Sequence, residues 1–209
     1  MGPVALETRI IDLRQPVPRA EAAVVAARAL HDDPFFAYLA PNARLLSRGL
    51  TLYWDASLAA FGASAHCEVT SDGDRIVAVA AWLPPGAFPL PARAQTRQMV
   101  GALRALYRRP LVLPDGLRSQ LAVERAHPHD EHWYLALLAV DPLRQRTGLG
   151  GTLVGRTLDR CDREGLPAYL ETTKEENIAW YARHRFALVG QLRPIRAGPP
   201  IWTMRREPR

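Results

Sequence analysis

The sequence predicts an α/β fold of the α+β kind, in which helices flank a central sheet. Short apolar runs alternate along the chain with segments of helical periodicity. The runs 66–70 and 75–83 flank the Asp72-Gly73 pair, which is a hairpin signal. No repeat or low-complexity linker interrupts the 209 residues. We therefore expect a single domain over residues 1–209, long enough to bury a core.

The remaining elements follow from periodicity and from the Gly and Pro residues that interrupt it. Residues 31–34 are predicted as a stop and a turn, and residues 84–91 break the pattern. The other predicted strands are 5–13, 133–140, 168–172, 186–193 and 201–206, and the predicted helices are 19–30, 42–61, 92–107, 117–125, 148–164 and 175–184.

The charge balance does not indicate a nucleic-acid partner. The formal net charge is +6, but Lys174 is the only lysine, and the arginines are scattered among acids as in 159–164, the pattern of a solvated helix face. No recognition-helix or zinc-finger signature accompanies them. We expect no nucleic-acid binding, although a basic surface attracts phosphate-bearing ligands.

Membrane and secretion signals are also missing from the sequence. There is no window of about 18 apolar residues, and residues 1–8 lack a basic-then-apolar layout, so we expect a cytoplasmic protein without a membrane partner. Cys67 and Cys161 are the only cysteines. They are predicted to be free buried thiols on a strand and a helix.

The most informative segment is 140–151, between the apolar run 133–139 and a helix. A strand that turns through glycines into a helix leaves free N–H groups, and the helix dipole adds positive charge, so such a place binds phosphate. A P-loop would need Gly-Lys followed by Ser or Thr, which does not occur. The G-x-G-x-x-G fingerprint fails because Leu153 stands at its third glycine. Gln145, Gly148 and Gly150 instead satisfy Gln/Arg-x-x-Gly-x-Gly/Ala.

That pattern resembles the coenzyme A pyrophosphate loop of the GCN5-related N-acetyltransferases (GNAT), although a plain turn produces many such matches. The resemblance implies the GNAT acyl-CoA N-acyltransferase fold, with a mixed, mostly antiparallel sheet, and acetyl-CoA as cosubstrate. Arg144 and Arg146 could add charge to the loop. The cofactor-binding residues implied are the pantetheine-facing main chain of Leu138, Ala139 and Val140, the loop residues Gln145, Arg146, Thr147, Gly148, Leu149, Gly150 and Gly151, and the side chain of Asn177.

A second match to the family lies in 170–186. Asn177 and Tyr181 are four residues apart, so they share a helix face, and Phe186 matches the family phenylalanine. The resemblance implies that Tyr181 protonates the departing thiolate as general acid. Alternatively, Tyr181 is a helix aromatic on the core and Asn177 a plain surface residue. Arg185 replaces the usual glycine after the helix, which calls the loop geometry into question unless the arginine adopts another turn.

Glu171, at the end of the predicted strand 168–172, is the best-placed carboxylate for a general base. An attacking amine must lose protons, and this strand end lies beside the expected cofactor cleft. The alternative is a strand-end residue paired with a neighbouring arginine. No cysteine lies near the glycine loop in sequence, which favours direct attack of the amine over a covalent enzyme intermediate.

The segment 127–132 contains His127, His129 and His132 with two acids. Its spacing matches none of the usual zinc motifs, and Pro128 precludes a regular helix, so we expect no metal. We interpret the segment as a loop entering strand 133–140, where a histidine can lie beside substrate.

The segments 133–151, 170–172, 181–186 and 202–205 look most like the puromycin N-acetyltransferase-like branch of the family. The resemblance implies a small-molecule primary amine as substrate, antibiotics included, and a homodimer is compatible with it. Residues 31–61 and 84–132 face the substrate in this family but name none here. Two alternatives stay open: a protein or peptide N-acetyltransferase, and a non-catalytic coenzyme A-binding module.

Overall fold

The computed structural model describes residues 6–40 and 43–209. The strands in these ranges are β1 (Leu6–Ile10), β2 (His66–Asp72), β3 (Arg75–Leu83), β4 (Trp133–Val140), β5 (Ala168–Thr172), β6 (Ala187–Leu192) and β7 (Ile201–Arg206). The α-helices are α1 (Pro16–Ala29), α2 (Pro34–Leu39), α3 (Ala43–Phe61), α4 (Ala92–Ala105), α5 (Leu113–Ala126), α6 (Leu149–Glu164) and α7 (Glu176–Arg183).

The seven strands described form one sheet in the order β1-β2-β3-β4-β5-β7-β6. β4 and β5 are parallel, and the other neighbouring pairs are antiparallel. The predicted α/β fold with a mixed, mostly antiparallel sheet is confirmed. Among the described residues no helix is both long and apolar enough to cross a membrane.

Helices cover both faces of the sheet, and a bulge in β4 exchanges its faces. Trp133 and Leu135 pack on the side of α6 and α7, whereas Leu137 and Ala139 pack with α1 and α3. Side chains alternate strictly along a regular strand, so this change of side needs an extra residue. The register of β4 against β3 shifts between Leu135 and Leu137, which leaves Ala136 as that residue.

β4 and β5 touch at only one end. Trp133 pairs with Ala168 and Tyr134 with Tyr169, and beyond these residues the two strands diverge. One edge of β4 stays bonded to β3 up to Val140. The other edge therefore presents main-chain groups to a gap in the middle of the sheet.

The predicted stop and turn at residues 31–34 are confirmed, since α1 ends at Ala29 and a turn precedes α2, but α2 itself was not predicted from the sequence. Asp33 is the N-cap of α2, and its carboxylate accepts from the N–H of Phe35 at 2.9 Å. Pro34 occupies the first turn, where a backbone N–H would have no intrahelical acceptor, so proline costs no hydrogen bond there. α5 likewise begins at Leu113 rather than at 117, because Pro114 lies in its first turn.

The other elements end within a few residues of their predicted bounds, with two exceptions at which the chain is only partly described. The predicted strand 5–13 is β1 over Leu6–Ile10, and Ala5 lies outside the described residues. The predicted helix 42–61 begins at Ala43, and Asn42 also lies outside them. Cys67 and Cys161 are free and buried, as predicted.

Candidate active site

The glycine loop turns β4 into α6 through two left-handed residues. Gly148, the N-cap of α6, has φ 89°, and Arg146 has φ 62°. The first bond of the helix runs from the N–H of Thr152 to the carbonyl of Gly148 at 3.0 Å. The N–H groups of Leu149, Gly150 and Gly151 precede it, so they lack intrahelical acceptors and point out of the helix end. This concave row of donors suits an anion.

Local bonds hold the loop in shape. The Gln145 side-chain amide donates to the carbonyl of Val140 at 3.2 Å, and the Thr147 hydroxyl donates to the carbonyl of Arg144 at 2.6 Å. The guanidinium of Arg144 is paired with Asp72 on β2, so its charge is partly engaged. Arg146 is exposed at the loop surface. Of the two arginines suggested for phosphate contacts, Arg146 is therefore the freer.

The other glycines of the loop lie against α7. A Cβ on Gly150 would lie 3.6 Å from the ring of Trp180, and one on Gly151 would lie 3.4 Å from the ring of His184. The rings of Trp180 and His184 contact each other at a tilt, with centroids 4.5 Å apart. This pair was not predicted from the sequence, in which the helical spacing of four residues is its only signal.

A cavity of about 430 Å³ lies beside the β4–β5 gap. Its wall includes Tyr134 to Leu138 of β4, together with Glu171, Asn177 and Tyr181. Aromatic and aliphatic side chains of the helices enclose the rest, among them Phe35, Phe36, Leu50, Tyr53, Trp54, Met99, Leu117 and Leu121. Three carboxylates line it, those of Asp33, Glu124 and Glu171, and no Lys or Arg does among the described residues.

Hydrogen bonds and a ring contact at the C-terminal end of α7 hold Tyr181 in position. The N–H of Phe186 donates to the carbonyl of Tyr181 at 3.2 Å and that of Arg185 to the carbonyl of Ala182 at 2.9 Å, which is a Schellman motif. The rings of Tyr181 and Phe186 meet edge to face at 5.8 Å. Arg185 has φ 69°, so it takes the left-handed position usually given to glycine rather than another turn. Burial raises the pKa of Tyr181, so its phenol stays protonated.

Asn177 lines the same cavity as Tyr181, and its side-chain amide donates to the hydroxyl of Thr172 at 3.1 Å. The bond joins α7 to the end of β5. Asn177 is therefore neither a plain surface residue nor wholly free for a ligand, since this bond takes one of its two amide N–H groups and leaves the other N–H and the carbonyl oxygen.

Among the three carboxylates of the cavity, that of Glu171 alone has a buried oxygen without a hydrogen bond. Asp33 caps α2 and accepts from the Thr173 hydroxyl at 2.6 Å, and Glu124 accepts from Gln120 at 2.9 Å. By contrast, Oε1 of Glu171 is buried without a hydrogen bond. The alternative of a neighbouring arginine is not supported, because the group facing Glu171 Oε1 is Nδ1 of His127 at 3.7 Å.

The loop 127–132 supplies two buried histidines rather than an exposed one at the substrate. His127 and His132 are 6% and 7% exposed and meet through their Nε2 atoms at 2.9 Å, whereas His129 is exposed. No group of three metal-ligating side chains occurs in the described part of the chain. The sequence placed these histidines in a loop before β4, but nothing in their spacing showed their contact with Glu171.

The comparisons with known proteins agree with this geometry. The model of the acetyltransferase (GNAT) family matches residues 54–186. The chain therefore belongs to the GNAT family, and its prediction as an N-acetyltransferase of the acyltransferase class is confirmed. The narrower branch predicted for it is not confirmed.

Solved structures share the fold at low sequence identity. A Corynebacterium glutamicum protein described as histone acetyltransferase HPA2 and related acetyltransferase has 22% identity and a TM-score of 0.68, with 97% of each chain covered. The Drosophila melanogaster polyamine N-acetyltransferase has 16% identity and a TM-score of 0.55, covering 97% of this chain and 100% of that one. A Thermoplasma acidophilum PaiA N-acetyltransferase solved with coenzyme A has 8% identity and a TM-score of 0.55, with 97% and 99% covered.

Proposed function

We propose that this protein is a single-domain enzyme over residues 1–209 that transfers acetyl from acetyl-CoA to a primary amine of a small molecule by direct attack. One observation carries the proposal. The strand that ends in the α6 anion site, β4, also forms the wall of a cavity that holds Glu171 and Tyr181. A phosphate-bearing donor at the loop and an amine in the cavity would thus meet along one strand.

The residues present fit acetyl-CoA. The N–H groups at the start of α6 suit its pyrophosphate, and Arg146 adds a charge at the loop. Along Leu138, Ala139 and Val140 the unpaired edge of β4 offers main-chain donors and acceptors to an extended arm. Trp180 and His184 lie beside the first turn of α6, where they form one side of the phosphate site.

The chemistry needs a proton acceptor and a proton donor. Acyl transfer forms a C–N bond and breaks the thioester C–S bond. Glu171 takes a proton from the amine, directly or through the groups behind it, and β4 N–H groups stabilise negative charge on the carbonyl oxygen. Tyr181 donates its phenol proton to the leaving sulfur, a role supported by its pKa, which burial raises.

Direct transfer is supported by the state of the thiols. Burial raises the pKa of Cys67 and of Cys161 to about 12, so both stay protonated and poorly nucleophilic. Both also pack in the hydrophobic cores, and neither lines the cavity.

A small amine is supported by the cavity itself. Its volume, about 430 Å³, suits a small molecule, and its apolar wall lined with carboxylates suits a cationic amine with an apolar body. The Drosophila relative, named for polyamines, has the same fold. Puromycin and related amino antibiotics belong in the test panel because of the predicted branch. A homodimer, cytoplasmic location and the lack of a nucleic-acid partner stay predictions.

Calorimetry with acetyl-CoA, followed by a thiol-release assay across a panel of amines and peptides, tests the proposal. We expect micromolar binding and release with a small amine. Tyr181→Phe should lower kcat by about 100-fold or more while acetyl-CoA affinity changes less than about twofold. Tyr107→Phe, at a tyrosine 69% exposed, is the matched control.

Each contrary result has a distinct meaning. Lack of acetyl-CoA binding by the unmodified protein would refute the assignment of the loop. Binding without release from any amine or peptide would favour a non-catalytic module, and release with peptides alone would favour a peptide acetyltransferase. Full turnover by Tyr181→Phe would remove the acid role.

A further inference from the structure

A buried polar chain runs from the cavity to the loop before β4. Oε1 of Glu171 lies 3.7 Å from Nδ1 of His127, Nε2 of His127 lies 2.9 Å from Nε2 of His132, and Nδ1 of His132 lies 2.7 Å from the carbonyl oxygen of Asp130. Glu171 lines the cavity, whereas His127 lies behind it. Neither Glu171 Oε1 nor His127 Nδ1 has a hydrogen-bond partner.

The carbonyl at the far end fixes the protons of this chain. A carbonyl only accepts, so Nδ1 of His132 must carry the proton of that bond. In neutral His132, Nε2 is then an acceptor, and Nε2 of His127 must donate to it. Neutral His127 is left with a bare Nδ1, a lone pair that faces the carboxylate of Glu171. The chain thus ends, on the cavity side, in two acceptors with no proton between them.

The surroundings hold the ring of His127 in place and favour the neutral form of His132. The ring of His127 is held by Phe88, Tyr134 and Tyr169, with centroids 4.1, 4.9 and 5.0 Å away. Burial lowers the pKa of His132, which favours its neutral form. Burial, and then the charge of Glu171, raises the pKa of Tyr134 and of Tyr169, so both phenols facing this carboxylate stay protonated.

We propose that Glu171 and His127 form a two-residue proton acceptor for the ammonium group of the substrate, in which His132 and the Asp130 carbonyl set the tautomer that keeps the acceptor empty. This inference rests on the proposed acetyl transfer. Glu171 touches the substrate, and His127 and His132 are positioning residues that act through it. The arrangement is that of a base oriented by a third group.

The protons balance in this scheme. An ammonium substrate carries one proton more than the neutral amine that attacks. That N–H bond breaks, its electron pair stays on nitrogen, and the proton comes to rest between Glu171 Oε1 and His127 Nδ1. After the C–N bond forms, the C–S bond breaks and Tyr181 gives its phenol proton to the sulfur; the nitrogen then loses a second proton, which replaces the one that Tyr181 has given up. The pair finally releases its single proton to solvent.

Substrates of different basicity distinguish a role of His127 in proton transfer from a role in packing alone. For a strongly basic alkylamine, which is an ammonium ion at neutral pH, His127→Gln should lower kcat/KM by about 100-fold. A weakly basic amine of the same skeleton is already neutral when it binds, so kcat/KM for that amine should fall by less than about threefold in the same variant. His129→Gln, at the exposed histidine of the same loop, is the control and should affect neither amine. Equal losses on both amines, or none on the basic one, would overturn the proposal.

A measurement without turnover decides the case independently. Nitrogen NMR of the histidine-labelled, ligand-free protein reports which ring nitrogen carries each proton. We expect protonated Nε2 with bare Nδ1 at His127, and protonated Nδ1 at His132. A protonated Nδ1 on His127 would overturn the proposal even if His127→Gln fails to fold. If the unmodified protein acetylates no amine, the proposed function fails, and these tautomers still show whether the acceptor exists.

Discussion

The two sites along β4, the glycine loop and the cavity, differ in the chemical groups that form them. The glycine loop is made of main chain, because left-handed Arg146 and Gly148 aim the N–H groups at the start of α6. The cavity is made of side chains that α2, α3, α4, α5 and β5 bring together from distant parts of the sequence. A main-chain site needs particular residues at fixed spacing, whereas a side-chain site needs the fold. The first can therefore be found in a sequence more readily than the second.

The largest effect expected from this comparison is on the main-chain site. Gly148→Val places a β-branched residue at φ 89°, a conformation that L residues rarely adopt. The N–H groups of the first turn should then turn away from the ligand. We expect acetyl-CoA affinity to fall by about 100-fold or more in calorimetry, with the fold retained and a stability loss of about 1–2 kcal/mol.

The matched control is a glycine on the same helix. Gly155 of α6 lies away from the loop, and nothing lies within 4 Å of a Cβ added there. Gly155→Ala should leave the acetyl-CoA affinity unchanged, because the alanine fits an ordinary helical conformation. Equal affinity losses in both variants, or unchanged affinity in Gly148→Val, would mean that the loop backbone is not the phosphate site.

The side-chain site should respond to charge, with a smaller effect. Leu117 of α5 lines a cavity whose charged groups, in the part of the chain described, are all carboxylates. Leu117→Arg introduces a cation there and should lower kcat/KM for an ammonium substrate by about tenfold through repulsion in a medium of reduced dielectric. Acetyl-CoA affinity should stay the same, since the loop is untouched.

Leu111→Arg controls for the added charge. Leu111 is 90% exposed and does not line the cavity, so the same substitution should leave kcat/KM within about twofold of the unmodified enzyme. If Leu117→Arg weakened acetyl-CoA binding as much as it slowed turnover, the two sites would not be separate, and the comparison between main-chain and side-chain sites would fail.

The same contrast explains how much could be predicted. β4, β5 and β7 have their predicted bounds because each is a short run bounded on at least one side by a proline, namely Pro142, Pro167 and Pro200 respectively. α2 was missed because Asp33-Pro34 both ends one helical pattern and caps the next helix. Glu171 was found from its position at the end of the predicted strand 168–172, beside the cofactor cleft that the family resemblance implies. Its contact with His127 depends on how the loop folds back behind β5, and no local pattern encodes that.

The smallest effect is expected at Arg185, which stands where the family usually has glycine and which takes the left-handed backbone conformation of that glycine. Arg185 is exposed and takes φ 69° after α7, so its side chain gives up little packing while its backbone is strained. Arg185→Gly should relieve that strain, partly offset by the greater freedom of glycine in the unfolded chain, for a net gain of about 0.5–1 kcal/mol in the free energy of unfolding. Urea unfolding measures this gain.

The same variant should have little effect on catalysis. Because the main chain around Tyr181 already has the required shape, kcat of Arg185→Gly should stay within about twofold of that of the unmodified enzyme. A large gain in kcat would instead mean that the strained cap misplaces Tyr181 in the native enzyme.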